Sequence, residues 1–247
     1  GKTLLRFGVP RFSVSMIRQI IACGSPNFLN NIAGRITSIL MNMILVRLGG
    51  ENAVSVYGVL MYADGFVQPL LYGMCDSLQP AVGYNWGAGK LSRVRAIEKC
   101  CFGASCVVSL ASVVVIALLP GQIAGLFMSD ASLEVMIIAT GALRLLSLPY
   151  ITTWFSFALQ GYILAIEKPF SASVIFVATA LVFPVILIGV LWPLGLTGIC
   201  LNLAGTSVLA AILSSGFLLK YLSELSAPDP QLSNLISIRP LRRVDQI

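Results

Sequence analysis

The chain has 247 residues, of which 57% are hydrophobic and only 11% are charged, and its mean hydropathy is +0.90. A soluble domain of this length needs a far more charged surface, so this composition predicts a membrane protein. The net charge of +6 does not indicate a nucleic-acid-binding protein, because the basic residues do not cluster with aromatic residues as a binding face requires.

The chain begins with a basic, amphipathic segment over residues 1–25, in which Leu, Phe, Met and Ile alternate with arginines. This pattern is typical of a helix that lies at a membrane interface, with a plain connecting loop as the alternative. Residues 221–247 are polar and contain proline, so they predict a tail outside the bilayer. Residues 26–220 between these two segments are predicted to form the membrane domain.

Six apolar runs in the membrane domain are long enough to cross the hydrocarbon core as helices. The sequence therefore predicts an all-α membrane protein built as a six-helix bundle. Turn residues such as Gly49-Gly50, Gly87-Ala88-Gly89 and Trp192-Pro193 separate the runs. The predicted spans are approximately 28–48, 55–82, 100–120, 141–166, 170–192 and 195–219.

The basic residues sort to one side of this six-span arrangement. Most of the sixteen Lys and Arg residues precede the first span or follow the second, fourth and sixth spans. By the positive-inside rule, both ends of the chain are predicted to be cytoplasmic. A count of five or seven spans would scramble this distribution, so the charges support six.

Polar residues follow one another at steps of three or four along the first two spans. Residues with this spacing share one face of a helix, so each set predicts a polar stripe. Polar groups inside a membrane are costly and usually face a bundle interior or a wet cavity. The two stripes consist of Asn27, Asn31, Arg35, Ser38 and Asn42, and of Asp64, Gln68, Tyr72, Asp76 and Gln79.

Asp64 and Asp76 are the two acids placed well inside a predicted span. Desolvation disfavours the charged form of such a carboxylate, which would let it exchange a proton, bind Na⁺ or hold a cationic compound. In a hairpin folded about residues 50–54, Arg35 lies at a depth between the two acids and slightly nearer Asp76. We therefore expect Arg35 to pair with Asp76, which leaves Asp64 as the coupling group.

The second span ends in the segment Gln79-Pro80-Ala81-Val82-Gly83-Tyr84-Asn85-Trp86-Gly87-Ala88-Gly89-Lys90, and Arg93 follows it. This pattern resembles the signature of the multidrug and toxic compound extrusion (MATE) transporters, where it marks the cytoplasmic end of the second helix of the C-terminal lobe. We predict a structural role for the motif, with its glycines ending the helix and its basic residues anchoring it. The motif residues are Pro80, Gly83, Tyr84, Asn85, Gly87, Gly89 and Arg93.

The resemblance extends over about residues 14–220 and includes Gly195-Leu196-Thr197-Gly198, which looks like the segment entering the family's last helix. It implies that the chain is the C-terminal six-helix lobe of a twelve-helix, two-lobed transporter of the plasma (inner) membrane. Such a transporter expels drugs, often organic cations, by antiport against H⁺ or Na⁺ through alternating access. The implied partners are the bilayer, these substrates and the N-terminal lobe, with no cofactor besides the coupling ion.

The resemblance also bears on individual site residues. Gln160 is similar to a glutamine in the fourth helix of the lobe in family members, and we predict that it lines the cavity. Some members carry an acid in the first or fourth helix, whereas residues 28–48 and 141–162 have none. Ion coupling therefore depends on Asp64 or Asp76, or on the other lobe.

Three alternative functions remain consistent with the sequence. A lipid-linked oligosaccharide flippase of the same superfamily would need several basic residues in its cavity, and here only Arg35 is deep. A membrane-embedded enzyme would need a histidine-based metal site, a close acid pair or a serine with a base, and the chain has no histidine and no metal-binding cysteine spacing. The third is a truncated fragment that does not transport, because such transporters bind substrate between their repeats.

Overall fold

In the computed structural model, residues 13–128 and 132–226 are described, and every regular element within these two ranges is a helix. The predicted all-α class is confirmed. The helices in chain order are α1 Val14–Leu48, α2 Gly50–Gly87, α3 Leu91–Leu118, α4 Pro120–Phe127, α5 Leu133–Ser147, α6 Tyr150–Ala165, α7 Pro169–Leu194 and α8 Gly195–Ser226.

Within the ranges that the structure describes, five of these helices are long and apolar enough to cross a membrane on their own. The α5–α6 pair, which bends by 47°, makes a sixth span when it is counted as one. Large apolar side chains such as Phe66, Leu126 and Phe170 are exposed on the outside, as expected of surfaces that face lipid. The chain is a multi-pass integral membrane protein.

The fourth span differs from its prediction over 141–166. It starts earlier, at Leu133, and it is broken between Ser147 and Tyr150. Pro149 lies at the break and has no backbone N–H, so the hydrogen-bond ladder cannot run through it. The short helix α4 was not predicted. Of the predicted tail over 221–247, residues 221–226 belong to α8, which ends at Ser226, and residues 227–247 lie outside the described ranges.

Helix α1 runs from Val14 to Leu48, so residues 14–25 continue the first span as helix rather than loop. Residues 1–12 of the predicted interfacial segment lie outside the described ranges, and the interfacial assignment stays a prediction. The chain reverses at Gly50, whose φ of 60° and ψ of −146° lie outside the helical region. Glycine adopts a positive φ at little steric cost, so the predicted Gly49-Gly50 turn is confirmed.

Helix α7 contains a π-helical segment, Ala178–Val182, just before Pro184. Pro184 cannot donate a hydrogen bond to the carbonyl four residues earlier, which belongs to Ala180. The hydroxyl of Thr37 on α1 donates to this Ala180 carbonyl at 2.6 Å instead. The irregular turn of α7 is thereby joined to α1.

The main core lies where α1, α2, α3, α5 and α6 meet. Its largest fully buried side chains include Met41, Leu45, Leu60, Leu71 and Leu143. A second buried cluster forms around α6 and α7 and includes Leu159, Tyr162 and Ile175. These two clusters leave a polar cavity between α1, α2 and the helices α6–α8.

Candidate functional site

A cavity of about 470 Å³ with polar and apolar lining residues lies between the helices of the bundle. Five helices contribute to its wall, together with Leu146 at the end of α5. Asp64 on α2 is the carboxylate in this wall, and Arg35 on α1 is its basic residue, among the side chains that the structure describes. The cavity wall is therefore mixed polar and apolar, with one acidic and one basic side chain among the described residues.

Asp64 is held by two hydrogen bonds that come from different helices. Gln68 Nε2, one turn along α2, donates to Oδ2 at 2.6 Å. The hydroxyl of Tyr150 on α6 donates to Oδ1, and the Tyr150 side chain is only 2% exposed. A carboxylate has about four acceptor positions, so these two donors leave capacity for a proton or a cation from the cavity.

The position of Tyr150 depends on the break in the fourth span. Tyr150 is the first residue of α6, directly after Pro149. Its backbone carbonyl accepts a hydrogen bond from Ser109 Oγ on α3 at 2.6 Å. Tyr150 thus joins the bend between α5 and α6 to both α3 and Asp64.

Two aromatic rings form one wall of the cavity. Tyr72 on α2 and Phe157 on α6 stack with their ring centroids 4.1 Å apart and their planes 27° apart. Both residues line the cavity with Asp64. An aromatic face beside a carboxylate can hold an organic cation through cation–π and Coulomb attraction.

Small hydroxyl and amide side chains also contribute to the cavity wall. Within the described part of the chain, Ser156 Oγ and Thr179 Oγ1 are buried and have no hydrogen-bond partner. Asn202 Nδ2 donates to the Pro184 carbonyl at 2.8 Å, which fixes α8 against α7. The two unpartnered hydroxyls leave donors and acceptors for a ligand or water in the cavity.

Five of the nine residues predicted for the cavity line it: Asn31, Arg35, Asp64, Gln68 and Tyr72. Asn42, Asp76, Gln79 and Gln160 are absent from its wall. A stripe with four-residue steps drifts by about 40° at each step, because an α-helix has 3.6 residues per turn. Asp76, twelve residues after Asp64, therefore points about 120° away from it.

The remaining displaced residues differ in their surroundings. Asn42 is exposed about 10 Å further along α1 than Arg35. Gln79 donates a hydrogen bond to Asp76 through its side-chain amide. Gln160 on α6 is only 2% exposed and is packed in the interior of the bundle. Its Oε1 has no hydrogen-bond partner among the described residues.

The expected ion pair between Arg35 and Asp76 is wrong. Asp76 is exposed, and its Oδ1 accepts a hydrogen bond from Gln79 Nε2 at 2.7 Å. Arg35 lines the cavity with Asp64 instead. Depth along the helices does not by itself determine the pairing, because Asp76 is rotated by about 120° around the α2 axis relative to Asp64.

Several cavity residues were missed in the sequence. Tyr150 and Asp64 are 86 residues apart, and no local pattern connects them. The proline at position 149 signalled a bend, and Pro184 signalled a free carbonyl at Ala180, but neither signal identifies a partner. Ser156 and Thr179 looked like ordinary small residues of apolar helices.

The motif residues 79–93 shape the end of α2 and the turn into α3. A Cβ added to Gly83 would lie 3.3 Å from the Ala165 carbonyl oxygen, so α2 approaches α6 closely there. Asn85 Nδ2 donates to the Ala81 carbonyl at 2.8 Å, and the Asn85 carbonyl accepts from Lys90 N at 2.9 Å. Gly89 has a φ of 69°, which suits glycine in the turn.

The outer motif residues have other positions. Pro80 lies in the first turn of the helical segment Gln79–Gly87. Tyr84, Gly87 and Arg93 are exposed. The motif lies at the end of α2 and does not contribute to the cavity wall.

A family model described as MatE matches residues 26–191 of the chain. A multidrug export protein MepA from Staphylococcus saprophyticus is 24% identical over 194 residues, which are 78% of this chain and 42% of that protein. The MepA of Staphylococcus aureus strain N315 is 25% identical over 188 residues, 72% of this chain and 41% of that protein. The chain spans about two fifths of the length of these relatives.

Solved structures of similar fold include a multidrug resistance MATE family transporter of the MOP superfamily in its outward-facing conformation. That structure aligns with a TM-score of 0.82 at 21% sequence identity, and the alignment covers 91% of this chain and 51% of the transporter. A MOP superfamily transporter from Pyrococcus furiosus aligns with a TM-score of 0.81 at 21% sequence identity, and the alignment covers 88% of this chain and 49% of that transporter. The fold of this chain thus corresponds to about half of each neighbour.

Proposed function

Since the chain belongs to the MatE family, we propose that it forms the C-terminal lobe of a secondary active exporter of toxic organic compounds. The exporter exchanges its substrate for H⁺ or Na⁺ by alternating access, and its role is transport rather than catalysis. Asp64 is the group in this lobe that binds the coupling ion. The observation that carries this proposal is the Asp64 carboxylate, bonded by Tyr150 and Gln68 at the wall of a 470 Å³ cavity.

The chemistry of the cavity supports a cationic, partly aromatic substrate. Asp64 supplies a negative charge, and the stacked Tyr72 and Phe157 rings supply a flat apolar wall. A carboxylate cannot hold a coupling ion and an organic cation at full strength simultaneously, because the two positive charges repel each other. Competition for Asp64 would make binding of the ion and of the substrate mutually exclusive, as an antiporter requires.

The cavity of this lobe is only part of a transport site. Secondary transporters bind their substrates between related repeats near the midplane, and the relatives are more than twice as long as the matched region. The partners in this proposal are the N-terminal lobe, the lipid bilayer and the substrate. The charge distribution supports cytoplasmic ends for this lobe in the plasma (inner) membrane.

The flippase alternative has less support. Recognition of a pyrophosphate-linked lipid calls for several basic side chains. Among the residues that the structure describes, Arg35 is the basic residue of the cavity wall. A single arginine beside an aspartate gives no strongly positive surface.

The test is ion-driven efflux in proteoliposomes that contain the full-length transporter. We expect Asp64→Asn to lower the rate of H⁺- or Na⁺-driven efflux of a fluorescent organic cation by about 100-fold, because the amide cannot take up or release the coupling ion. Asp76→Asn is the matched control, since this acid is on the same helix and outside the cavity wall. Unchanged ion-driven efflux in Asp64→Asn would refute this role for Asp64. The absence of any efflux from the unaltered protein would favour the alternative of a fragment that does not transport.

A further inference from the structure

Two cysteines face each other across α2 and α3, away from the cavity. Cys75 Sγ and Cys101 Sγ are 3.9 Å apart, and each residue is 3% exposed. They are separated by 26 residues along the chain, with the α2–α3 turn between them. Cys200 is also buried but has no thiol contact within the described ranges, and Cys23 and Cys100 are exposed.

The pair is held in place by close packing on α6. A Cβ added to Gly161 would lie 3.3 Å from the Cys75 carbonyl oxygen and 3.4 Å from Cys75 Cβ. Cys101 lies one turn after Glu98, a buried residue whose Oε2 has no hydrogen-bond partner in the part of the chain that is described. The Cys75 backbone is thus held close to α6, and both cysteines lie in the buried core of the bundle.

The geometry points to a redox-active dithiol: we propose that Cys75 and Cys101 form a reversible disulfide that cross-links α2 to α3. The oxidant belongs to the class of lipid-soluble quinones, since the pair lies within two membrane-spanning helices and water-soluble disulfides do not enter the hydrocarbon core. In this reaction both S–H bonds break and one S–S bond forms. The two electrons and two protons reduce the quinone to its hydroquinone.

The change in geometry is small. A disulfide has an S–S length of about 2.05 Å, so the sulfurs must approach each other by roughly 2 Å. Cys100, the residue beside Cys101, is exposed, so the surface of α3 is accessible to a small molecule next to the buried pair.

The position of the cross-link gives it a consequence for α2. The helix breaks at Leu78, only three residues after Cys75. A bond from Cys75 to α3 would hold the segment before the break at a fixed distance from α3. The oxidised protein is therefore expected to have a more rigid α2 than the reduced protein.

The experiment uses the full-length protein in membranes exposed to a short-chain quinone. Remaining thiols are blocked with a maleimide, and trypsin then cleaves at Lys90 or Arg93, between the two cysteines. We expect the two fragments to stay joined on a denaturing gel without reductant and to separate when a thiol reductant is added. Peptide mass spectrometry is expected to identify the linked Cys75–Cys101 peptides directly in the unaltered protein.

Variants decide which cysteines are joined. Cys75→Ser and Cys101→Ser should each lose the joined band, while Cys100→Ser and Cys200→Ser should keep it. Cys75→Ala is a second variant for the case in which a buried serine prevents folding. The proposal is overturned if the quinone-treated, unaltered protein keeps both thiols open to maleimide after denaturation, or if the joined band persists without Cys75.

Discussion

The two acids of α2 lie on one helix, twelve residues apart, yet their surroundings differ completely. Asp64 is partly buried in a cavity wall, and both of its oxygens accept hydrogen bonds, one of them from α6. Asp76 is exposed, and it is bonded by Gln79, three residues further along the same helix. The difference shows that the rotation of each residue around the helix axis and its contact with another helix, rather than membership of a polar stripe, decide which acid lines the cavity.

The comparison is tested most strongly by removing each carboxylate. Asp64→Ala leaves the buried Tyr150 hydroxyl and the Gln68 amide without their acceptor. We expect it to lower the free energy of unfolding by at least about 2 kcal/mol, since two groups lose their acceptor and each unsatisfied group costs about 1–3 kcal/mol. Asp76→Ala should change it by less than about 0.5 kcal/mol, as is usual for exposed positions.

The measurement is denaturant-induced unfolding of the detergent-solubilised, full-length protein. The two variants are compared under identical conditions, so that the detergent contributes equally. Equal destabilisation by the two substitutions would contradict the expected difference between the two acids.

A second prediction concerns the interaction energy between Asp64 and Tyr150, which are hydrogen-bonded to each other. Asp64→Asn and Tyr150→Phe are combined in a double-mutant cycle, and we expect an interaction energy of about 1–2 kcal/mol, because a hydrogen bond to a charged group exceeds a neutral one. The matched cycle with Asp76→Asn and Gln79→Leu should give less than about 0.5 kcal/mol, the range of exposed pairs within one helix. An interaction energy near zero for the first pair would contradict the structural link between α2 and the bend before α6.

Much of the architecture was predictable, because the bilayer permits few solutions. A chain that is 57% hydrophobic with turn residues between apolar runs has to form helices that satisfy their own backbone groups. The stripes also identified Asn31, Arg35 and Gln68 correctly as cavity residues, since neighbouring steps of the helix share a face. Local periodicity predicted the cavity residues only over one or two steps of each stripe, since Asn42, Asp76 and Gln79 at the stripe ends lie outside the wall.

The errors arose where rotation or distance along the chain decides the geometry. The extended stripe carried Asp76 into the predicted site although it had rotated out of it. Tyr150 was overlooked because its partner is 86 residues away and tyrosine is common in membrane helices. The irregular turn of α7 follows from Pro184, but its contact with Thr37 depends on how α1 and α7 pack.

The smallest predicted effect concerns the backbone packing of α2 against α6 near Asp76. Near Asp76 the helix is fixed by close packing, since a Cβ on Gly161 would lie 3.3 Å from the Cys75 carbonyl oxygen. Gly161→Ala should therefore lower the free energy of unfolding by about 1 kcal/mol, because a backbone group has to shift to make room. Gly73→Ala on α2 is the matched control: nothing lies within 4 Å of its added Cβ, and we expect a gain of roughly 0.5 kcal/mol from the reduced entropy of the unfolded chain. Thermal unfolding of both variants measures these opposite signs, and a stabilising Gly161→Ala would mean that polar contacts, rather than backbone packing, hold this part of α2.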